Sequence, residues 1–160
     1  MEIGELEKTA AQYSDIIYRV ALQYTAHPCD AEDVLQEVLM ELFRKSEVFD
    51  SPDHERRWLL RVTINKSKNL LRRGKRHHTL SIEELPETAA PPETSYRELY
   101  EAVLSLPRNQ RLTVDLYYYE GYTTEEIAAL MDARPATVRT WLRRAKLTLK
   151  KRLKEDWDDD

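Results

Sequence analysis

The sequence contains very little glycine. Gly4, Gly74 and Gly121 are the only three in its 160 residues. A Walker-type loop or a dinucleotide-binding loop needs several glycines close together, because its backbone must approach a phosphate closely. Neither loop can be written on this sequence, so nucleotide-dependent catalysis by those routes is excluded.

Cysteine and long apolar runs are also scarce. Cys29 is the only cysteine, which excludes an internal disulfide and fits a reducing cytoplasm. His27 stands close to it, but no third and fourth ligand follow at usable spacing, so we expect no metal and no cofactor. No apolar run approaches the roughly 18 residues that cross a bilayer, and the acidic N-terminus is unlike a secretory signal. We therefore predict a cytoplasmic protein with no direct membrane insertion.

Charge is sorted into blocks along the chain, although the formal net charge is only −4. Residues 61–80 carry seven basic and no acidic side chains, and residues 134–154 carry nine basic and none acidic. The remaining segments are net acidic, including a tail at 155–160. This layout indicates two anion-facing surfaces. Since a metal-dependent nuclease would need carboxylates near those blocks, we expect no enzymatic activity.

Apolar residues that recur every three to four positions predict an all-α chain. The first helix is expected over about residues 2–26, with Pro28 helping to end it. The second follows Asp30, with Glu32 and Asp33 adding negative charge to its first turn. Its apolar stripe comprises Val34, Leu35, Val38, Leu39, Leu42 and Phe43.

A third helix is predicted from about residue 55 to residue 73. Leu59, Val62 and Leu70 would face inward, and Gly74 is well placed to stop the helix.

The helical periodicity then disappears between residues 75 and 95, a stretch that holds three of the seven prolines. We therefore predict two small helical domains, 1–74 and 96–154, joined by a flexible linker at 75–95 and followed by the acidic tail.

The second domain has the pattern of a helix-turn-helix unit. After a helix over residues 96–105, another is expected from Pro107 to Gly121. Thr123 and Glu126 then form a capping box, and Tyr122 can pack onto Ile127 at the start of a short helix. A turn at Asp132–Arg134 leads into a final helix over about residues 135–153.

Three helices carry side chains suited to recognition. The last one presents Arg139, Thr140, Arg143, Arg144 and Lys146, a set that suits base edges and phosphates in a DNA major groove. A solvated basic face on an ordinary helical hairpin is the alternative.

On the third helix, Asn65 and Asn69 are one turn apart beside Arg61, Lys68 and Arg72, as expected for a nucleic acid with exposed bases. Phosphate clamping or a plain charged face would use the same residues.

The second helix differs because Asp33, Gln36, Glu37 and Glu41 form an acidic face that phosphate would repel. A protein partner with basic side chains is a better candidate, and a merely solvated face is the alternative.

Three motifs in order resemble a known family. They are DAEDVLQEVLMELFRK at 30–45, WLLRVTINKSKNLLRRGKR at 58–76 and LPRNQRLTVDLYYYEGYTTEEIAALMDARPATVRTWLRRAKLTLKKRL at 106–153. Together they resemble regions two and four of an extracytoplasmic-function (ECF) sigma factor of bacterial RNA polymerase. The resemblance implies a transcription initiation factor that binds core RNA polymerase and promoter DNA. It also implies restraint by an anti-sigma factor.

The resemblance further implies a role for each surface. Asp33, Gln36 and Glu37 would dock on the clamp helices of the polymerase β′ subunit, and the β subunit would also be contacted. In the −35 element, which stays double-stranded, Arg139, Thr140, Arg143 and Arg144 would face the bases, with Lys146 on phosphate.

The −10 element would be recognised as single strand and its opening promoted. The loop around Phe49–His54 would help Asn65 and Asn69 to hold a flipped base. The residues matched to this element are Trp58, Arg61, Asn65, Asn69, Arg72 and Arg73.

The sequence departs from the family pattern at one position, and its residues allow an alternative function. Many members have an aromatic residue three positions before the tryptophan, where this chain has Glu55. The residues alone also allow a helix-turn-helix repressor or a response-regulator-type activator, whose first domain would dimerise or sense a signal.

Overall fold

The computed structural model describes residues 3–45, 49–73 and 97–153, and their regular elements are all helices. The chain divides into two units, 1–78 and 79–160. The prediction of an all-α protein with two helical domains is confirmed. The stop at Gly74, the linker at 75–95 and the tail at 155–160 lie outside the described residues. Within the described ranges, no helix is long and apolar enough to span a membrane.

The first unit is built from three helices, each of which packs against the other two. They are α1 (Ile3–Thr25), α2 (Pro28–Arg44) and α3 (Pro52–Arg73). The side chains that fill its centre are fully buried, and burial of each such aliphatic side chain stabilises the fold by about 1.5–3 kcal/mol. The largest are Ile17, Val20, Val34, Val38, Leu42, Leu59, Leu60 and Ile64.

The joint between α1 and α2 differs from the prediction. Ala26 takes a left-handed conformation (φ 57°) and its N–H donates to the Leu22 carbonyl, which closes α1. Pro28 is the first residue of α2 rather than a terminator of α1, because its missing N–H costs nothing at that position. The helix therefore starts before Asp30, which is buried in its first turn instead of preceding it.

The predicted inward faces of α2 and α3 need two corrections. Phe43, assigned to the apolar stripe, is 47% exposed. On α3, Leu59 is buried as expected, but Val62 and Leu70 are only half-buried. Leu60 and Ile64 fill the core instead, because the buried face of α3 is centred one residue further along the helix.

The second unit contains α4 (Arg97–Leu104), α5 (Arg108–Val114), α6 (Thr124–Met131) and α7 (Pro135–Leu153). A π-helical turn over Asp115–Tyr119 continues α5. The predicted helix from Pro107 to Gly121 therefore exists, but it widens in its second half. Gly121 ends it at φ 80°, a conformation that glycine adopts without strain.

Two charged residues, Arg111 and Asp115, are buried inside the described part of the second unit. Arg111 is 7% exposed, and its guanidinium donates from Nη1 to the carbonyls of Leu104 and Leu106, at 3.4 Å each. These carbonyls lie at and just beyond the end of α4, where helical partners run out. Burial, reinforced by the nearby charge of Arg108, lowers the pKa of Arg111 to about 10. Arg111 thus fastens α4 to α5.

The helix-turn-helix is formed by α6 and α7. Its capping box is confirmed: the Glu126 N–H donates to Thr123 Oγ1 at 3.1 Å, and the Thr123 N–H donates to Glu126 Oε1 at 2.9 Å. Asp132 ends α6 in the left-handed conformation (φ 54°), and α7 begins at Pro135. Helix α7 buries Val138, Leu142, Ala145 and Leu149 on one side.

Candidate nucleic-acid and protein interfaces

The predicted docking residues share one exposed side of α2. Asp33 and Gln36 are exposed and Glu37 is half-buried. Positions three and four apart lie on one face of a helix, so the three side chains form one surface. Val34 and Val38 are buried in the core, which fixes the side of α2 that is left for a partner.

Glu41 does not belong to that surface in the way the sequence predicts. Its Oε1 lies 3.7 Å from Nζ of Lys66 on α3, and both side chains are partly buried. The carboxylate therefore joins two helices of the unit. Met40, in contrast, is 55% exposed and lies one helical turn from Gln36 and Glu37. The acidic surface thus borders an apolar patch that includes Met40 and Phe43.

The six residues predicted for the −10 element follow each other along one face of α3. Trp58, Arg61, Asn65, Asn69 and Arg72 differ by three or four positions, and Arg73 lies beside them. Trp58 is half-buried and the other five are exposed. The opposite face carries the buried residues, so the helix presents amides and guanidinium groups together at its surface.

Trp58 stands in an aromatic cluster at the start of that face. Its ring centroid is 5.5 Å from that of Phe49, which in turn meets His54 edge-on at 5.3 Å. Lys45 Nζ lies 5.0 Å from the Phe49 ring centroid and 5.3 Å from that of Trp58. Cation–π contacts of this kind hold a positive charge beside the rings. Phe49 thus gives Trp58 an aromatic neighbour, although Glu55 occupies the position where the family pattern has one.

The predicted loop around Phe49–His54 is shorter than expected. Helix α3 already begins at Pro52, because Ser51 caps it: the His54 N–H donates to Ser51 Oγ at 3.1 Å and the Glu55 N–H to the Ser51 carbonyl at 3.1 Å. His54 is therefore helical. Its Nδ1 accepts from the Asp50 N–H at 3.1 Å, which ties the loop to the helix.

The predicted −35 residues lie on the side of α7 away from its core. Arg139, Arg143, Arg144 and Lys146 are exposed and Thr140 is half-buried. The Thr140 hydroxyl donates to the Ala136 carbonyl at 3.1 Å, so its oxygen is directed along the helix. The side chains near the N-terminal end of α7 are thus presented as a major-groove reader requires.

A contact that the sequence did not predict joins the two helices of the helix-turn-helix. Arg139 Nη1 lies 3.6 Å from Oε2 of Glu125 on α6. The same carboxylate oxygen accepts from Thr124 Oγ1 at 3.1 Å. Spacing rules apply within a helix, so they gave no signal for a pair that forms across a turn.

Family models match both units of the chain. The model for Sigma-70 region 2 matches residues 9–77, and the model for Sigma-70, region 4 matches residues 96–149. The chain belongs to the Sigma-70 family of sigma factors. The first match contains the faces of α2 and α3, and the second contains the helix-turn-helix.

The curated relatives include proteins named as ECF sigma factors, and the chain belongs to that group. The chain is 30% identical over 154 residues to the ECF RNA polymerase sigma factor SigE of Mycolicibacterium smegmatis, covering 90% of this chain and 60% of that protein. It is 28% identical over 130 residues to RNA polymerase sigma factor SigV of Bacillus subtilis, covering 80% and 78%. The chain thus spans less than two thirds of the length of the first relative.

Two solved structures share the fold of this ECF sigma factor. The sigma factor RpoE in complex with the anti-sigma factor NepR from Bartonella quintana matches with a TM-score of 0.74 at 19% identity, covering 96% of this chain and 99% of that one. The structure of CnrH in complex with the cytosolic domain of CnrY matches with a TM-score of 0.65 at 22% identity, covering 97% and 91%.

Proposed function

We propose that this ECF sigma factor binds core RNA polymerase and directs it to promoters by reading two elements of DNA. The observation that carries the proposal is the exposed face of α3. Six residues predicted from the sequence fall on one side of that helix, opposite its buried residues. From residue 58 to residue 73, this face concentrates amides and guanidinium groups and carries no carboxylate, which an ordinary solvated face would not require.

In this proposal, Asp33, Gln36 and Glu37 of α2 dock on the clamp helices of the β′ subunit, and the β subunit is also contacted. An acidic surface beside exposed apolar side chains suits a protein partner with basic residues. Residues 1–74 would form this polymerase-binding and −10-binding domain. The linker at 75–95 would join it to the −35-binding domain at 96–154, with the tail at 155–160 beyond.

The −10 element would be captured as single strand on α3. Asn65 and Asn69 can hydrogen-bond to the edges of unstacked bases, and Trp58 with Phe49 offers aromatic surface. Arg61, Arg72 and Arg73 would hold the backbone. Flipping a base out of the duplex costs about a few kcal/mol, and binding of the freed strand offsets that cost without nucleotide hydrolysis. This is how the chain would promote melting.

The −35 element would be read as duplex by α7. Arg139, Thr140, Arg143 and Arg144 would meet base edges, and Lys146 would meet phosphate, because an ammonium acts as a point charge while guanidinium can bond guanine bidentately. The protein would be a non-enzymatic initiation factor, as membership of the family supports. Since core polymerase works in the cytoplasm, the predicted cytoplasmic location follows from this role.

An anti-sigma factor is a further partner in the proposal. One solved structure with this fold is a sigma factor bound to an anti-sigma factor, and another is CnrH bound to the cytosolic domain of CnrY. We expect the partner to cover the faces of α2 or α7, because masking either would stop initiation.

Run-off transcription tests the function directly. Purified core polymerase is supplied with a randomised promoter library, with and without the chain. We expect transcripts only when the chain is present, from templates that share two elements at a constant separation. A repressor or response-regulator-type activator would yield no transcript under these conditions. A variant with Asp33→Lys and Glu37→Lys serves as the control, and it should yield none either.

A further inference from the structure

The ion pair between Arg139 and Glu125 lies in a rigid frame. The capping box of Thr123 and Glu126 fixes the first turn of α6, where Glu125 is the second residue. Ile127 and Val138 are fully buried and anchor the two helices in the core. The distance between the backbones at positions 125 and 139 is therefore set by packing. Thr124 donates its hydroxyl to the Glu125 carboxylate, which further directs that group.

The pair contributes little to stability. The side chains of Arg139 and Glu125 are 58% and 68% exposed, and exposed pairs at such distances are strongly screened by water and salt. Its effect is on orientation. A guanidinium reads guanine through a planar fork, so the direction of that plane decides which base it can bond. A carboxylate on one edge of the fork limits the directions that Arg139 can take.

The negative charge of the Glu125 carboxylate also acts on DNA phosphates. Phosphates line both sides of the groove that α7 would enter, and a carboxylate exposed beside α7 repels them. Glu125 would thus weaken binding to every sequence while it favours the one base pair that the held guanidinium can reach. These are two effects of one residue, and they can be measured separately.

We propose that Glu125 is a specificity-determining residue, which positions Arg139 for one base pair of the −35 element and opposes indiscriminate phosphate binding. The proposal rests on the proposed function, because it needs α7 to read duplex DNA. Glu125 touches no base in this scheme. It acts through Arg139 and is a positioning residue.

The test uses the full chain reconstituted with core polymerase. Competition binding is measured on promoter fragments selected from the randomised library, with every −35 base pair substituted singly. The variants are Glu125→Gln, Arg139→Gln and the double variant. Glu98→Gln is the matched control, since it removes one exposed carboxylate from α4 in the same unit.

For Glu125→Gln we expect binding to all fragments to tighten by about two- to threefold at low salt, an effect that fades as salt rises. Preference at one base pair should fall by about fivefold or more, the lower range for loss of a good arginine–guanine pair. Arg139→Gln should lose preference at the same base pair. In the double variant, Glu125→Gln should cause no further loss there, and Glu98→Gln should leave the profile unchanged.

Three results would overturn the proposal. Glu125→Gln could keep every base preference, or lose preference at a different base pair from Arg139→Gln. The two losses could also add in the double variant, which would mean that the residues act separately. If Arg139→Gln and Arg143→Ala both leave the entire −35 profile unchanged, the −35 assignment fails as well. That outcome separates a failed function from a failed role for Glu125 alone.

Discussion

The Glu41 carboxylate of α2 lies 3.7 Å from the Lys66 ammonium of α3. Glu41 therefore points its charge toward its own unit, whereas Glu37, one turn earlier, belongs to the predicted docking surface. We expect Glu41→Gln to change core polymerase affinity by less than about twofold, because exposed or partly exposed pairs contribute little. Asp33→Lys with Glu37→Lys should weaken it by about tenfold or more. A pull-down titration with core polymerase distinguishes the two, and equal losses would place Glu41 in the interface.

Asn65→Ala and Asn69→Ala should weaken capture of the −10 strand without loss of stability, since both side chains are exposed on α3. Binding of the reconstituted polymerase to a fork-junction DNA with a single-stranded −10 segment should fall by about five- to tenfold per amide. Gln12→Ala is the control, because Gln12 is an exposed amide on α1. A thermal midpoint that drops together with binding would indicate a structural role instead.

Arg143→Ala and Lys146→Ala should have different effects on −35 binding. Both side chains are exposed on α7, but only a guanidinium can bond guanine in two places. Arg143→Ala should lower affinity for the selected element and relax preference at one position. Lys146→Ala should weaken binding to all DNA sequences alike, and it should reduce by about one the slope of log affinity against log salt concentration. The base-substitution series measured at several salt concentrations checks both, and uniform losses for Arg143→Ala would make it a phosphate contact.

Thr123→Ala removes the cap of α6, and we expect it to lower the free energy of unfolding by about 1 kcal/mol. The variant loses the Oγ1 acceptor of the Glu126 N–H, a bond of 3.1 Å, whereas the backbone N–H of residue 123 keeps its 2.9 Å bond to Glu126 Oε1. Thr123→Ser keeps the oxygen and should retain most of the stability. Thr148→Ala, an exposed change on α7, should not destabilise the protein. Urea denaturation measures these free energies of unfolding. Similar values for Thr123→Ala and Thr148→Ala would mean that the capping box does not stabilise the protein.

Arg111→Ala should destabilise the second unit by about 2–4 kcal/mol, because it leaves a cavity and deprives two carbonyls of a donor. Arg111→Met fills the space but also removes the donor, so it should lose less stability than Arg111→Ala.

The pH dependence of Arg111 has a definite sign. Folding lowers its pKa from the ordinary value to about 10, so between these two values the unfolded chain holds more protons and stability rises with pH. The unfolding free energy of the wild-type chain, relative to that of Arg111→Met, should be greater at pH 11 than at pH 9. If the difference between the two unfolding free energies is the same at both pH values, the pKa of Arg111 is not lowered by folding.

Local patterns predicted much of this fold. The capping box at Thr123, the stop at Gly121 and the start of α7 at Pro135 were all predictable, since each depends on residues within one turn of one another. The same holds for the exposed face of α3 that we propose binds the −10 strand, because helical spacing alone places Asn65 and Asn69 together.

What the sequence did not predict depends on contacts between elements. Phe43 has the right spacing for the core stripe of α2, but it is 47% exposed and lines an open groove with Leu6 of α1 instead of filling the core. The pairs Glu41–Lys66 and Glu125–Arg139 each join two helices, and no periodicity reports on them. Arg111 resembles any surface arginine in sequence, and only the packing of α4 on α5 encloses it.

A π-helical turn accommodates one residue more than an α-helical turn. Deleting one of the exposed tyrosines in Asp115–Tyr119 should therefore return that segment to ordinary helical bonding, with Gly121 still ending it and α6 still in place. One residue added between Pro135 and Leu142 would instead turn the remainder of α7 by about 100° and move its arginines to another side of the unit. Length differences among related chains are thus expected at the tyrosine run and not in α7.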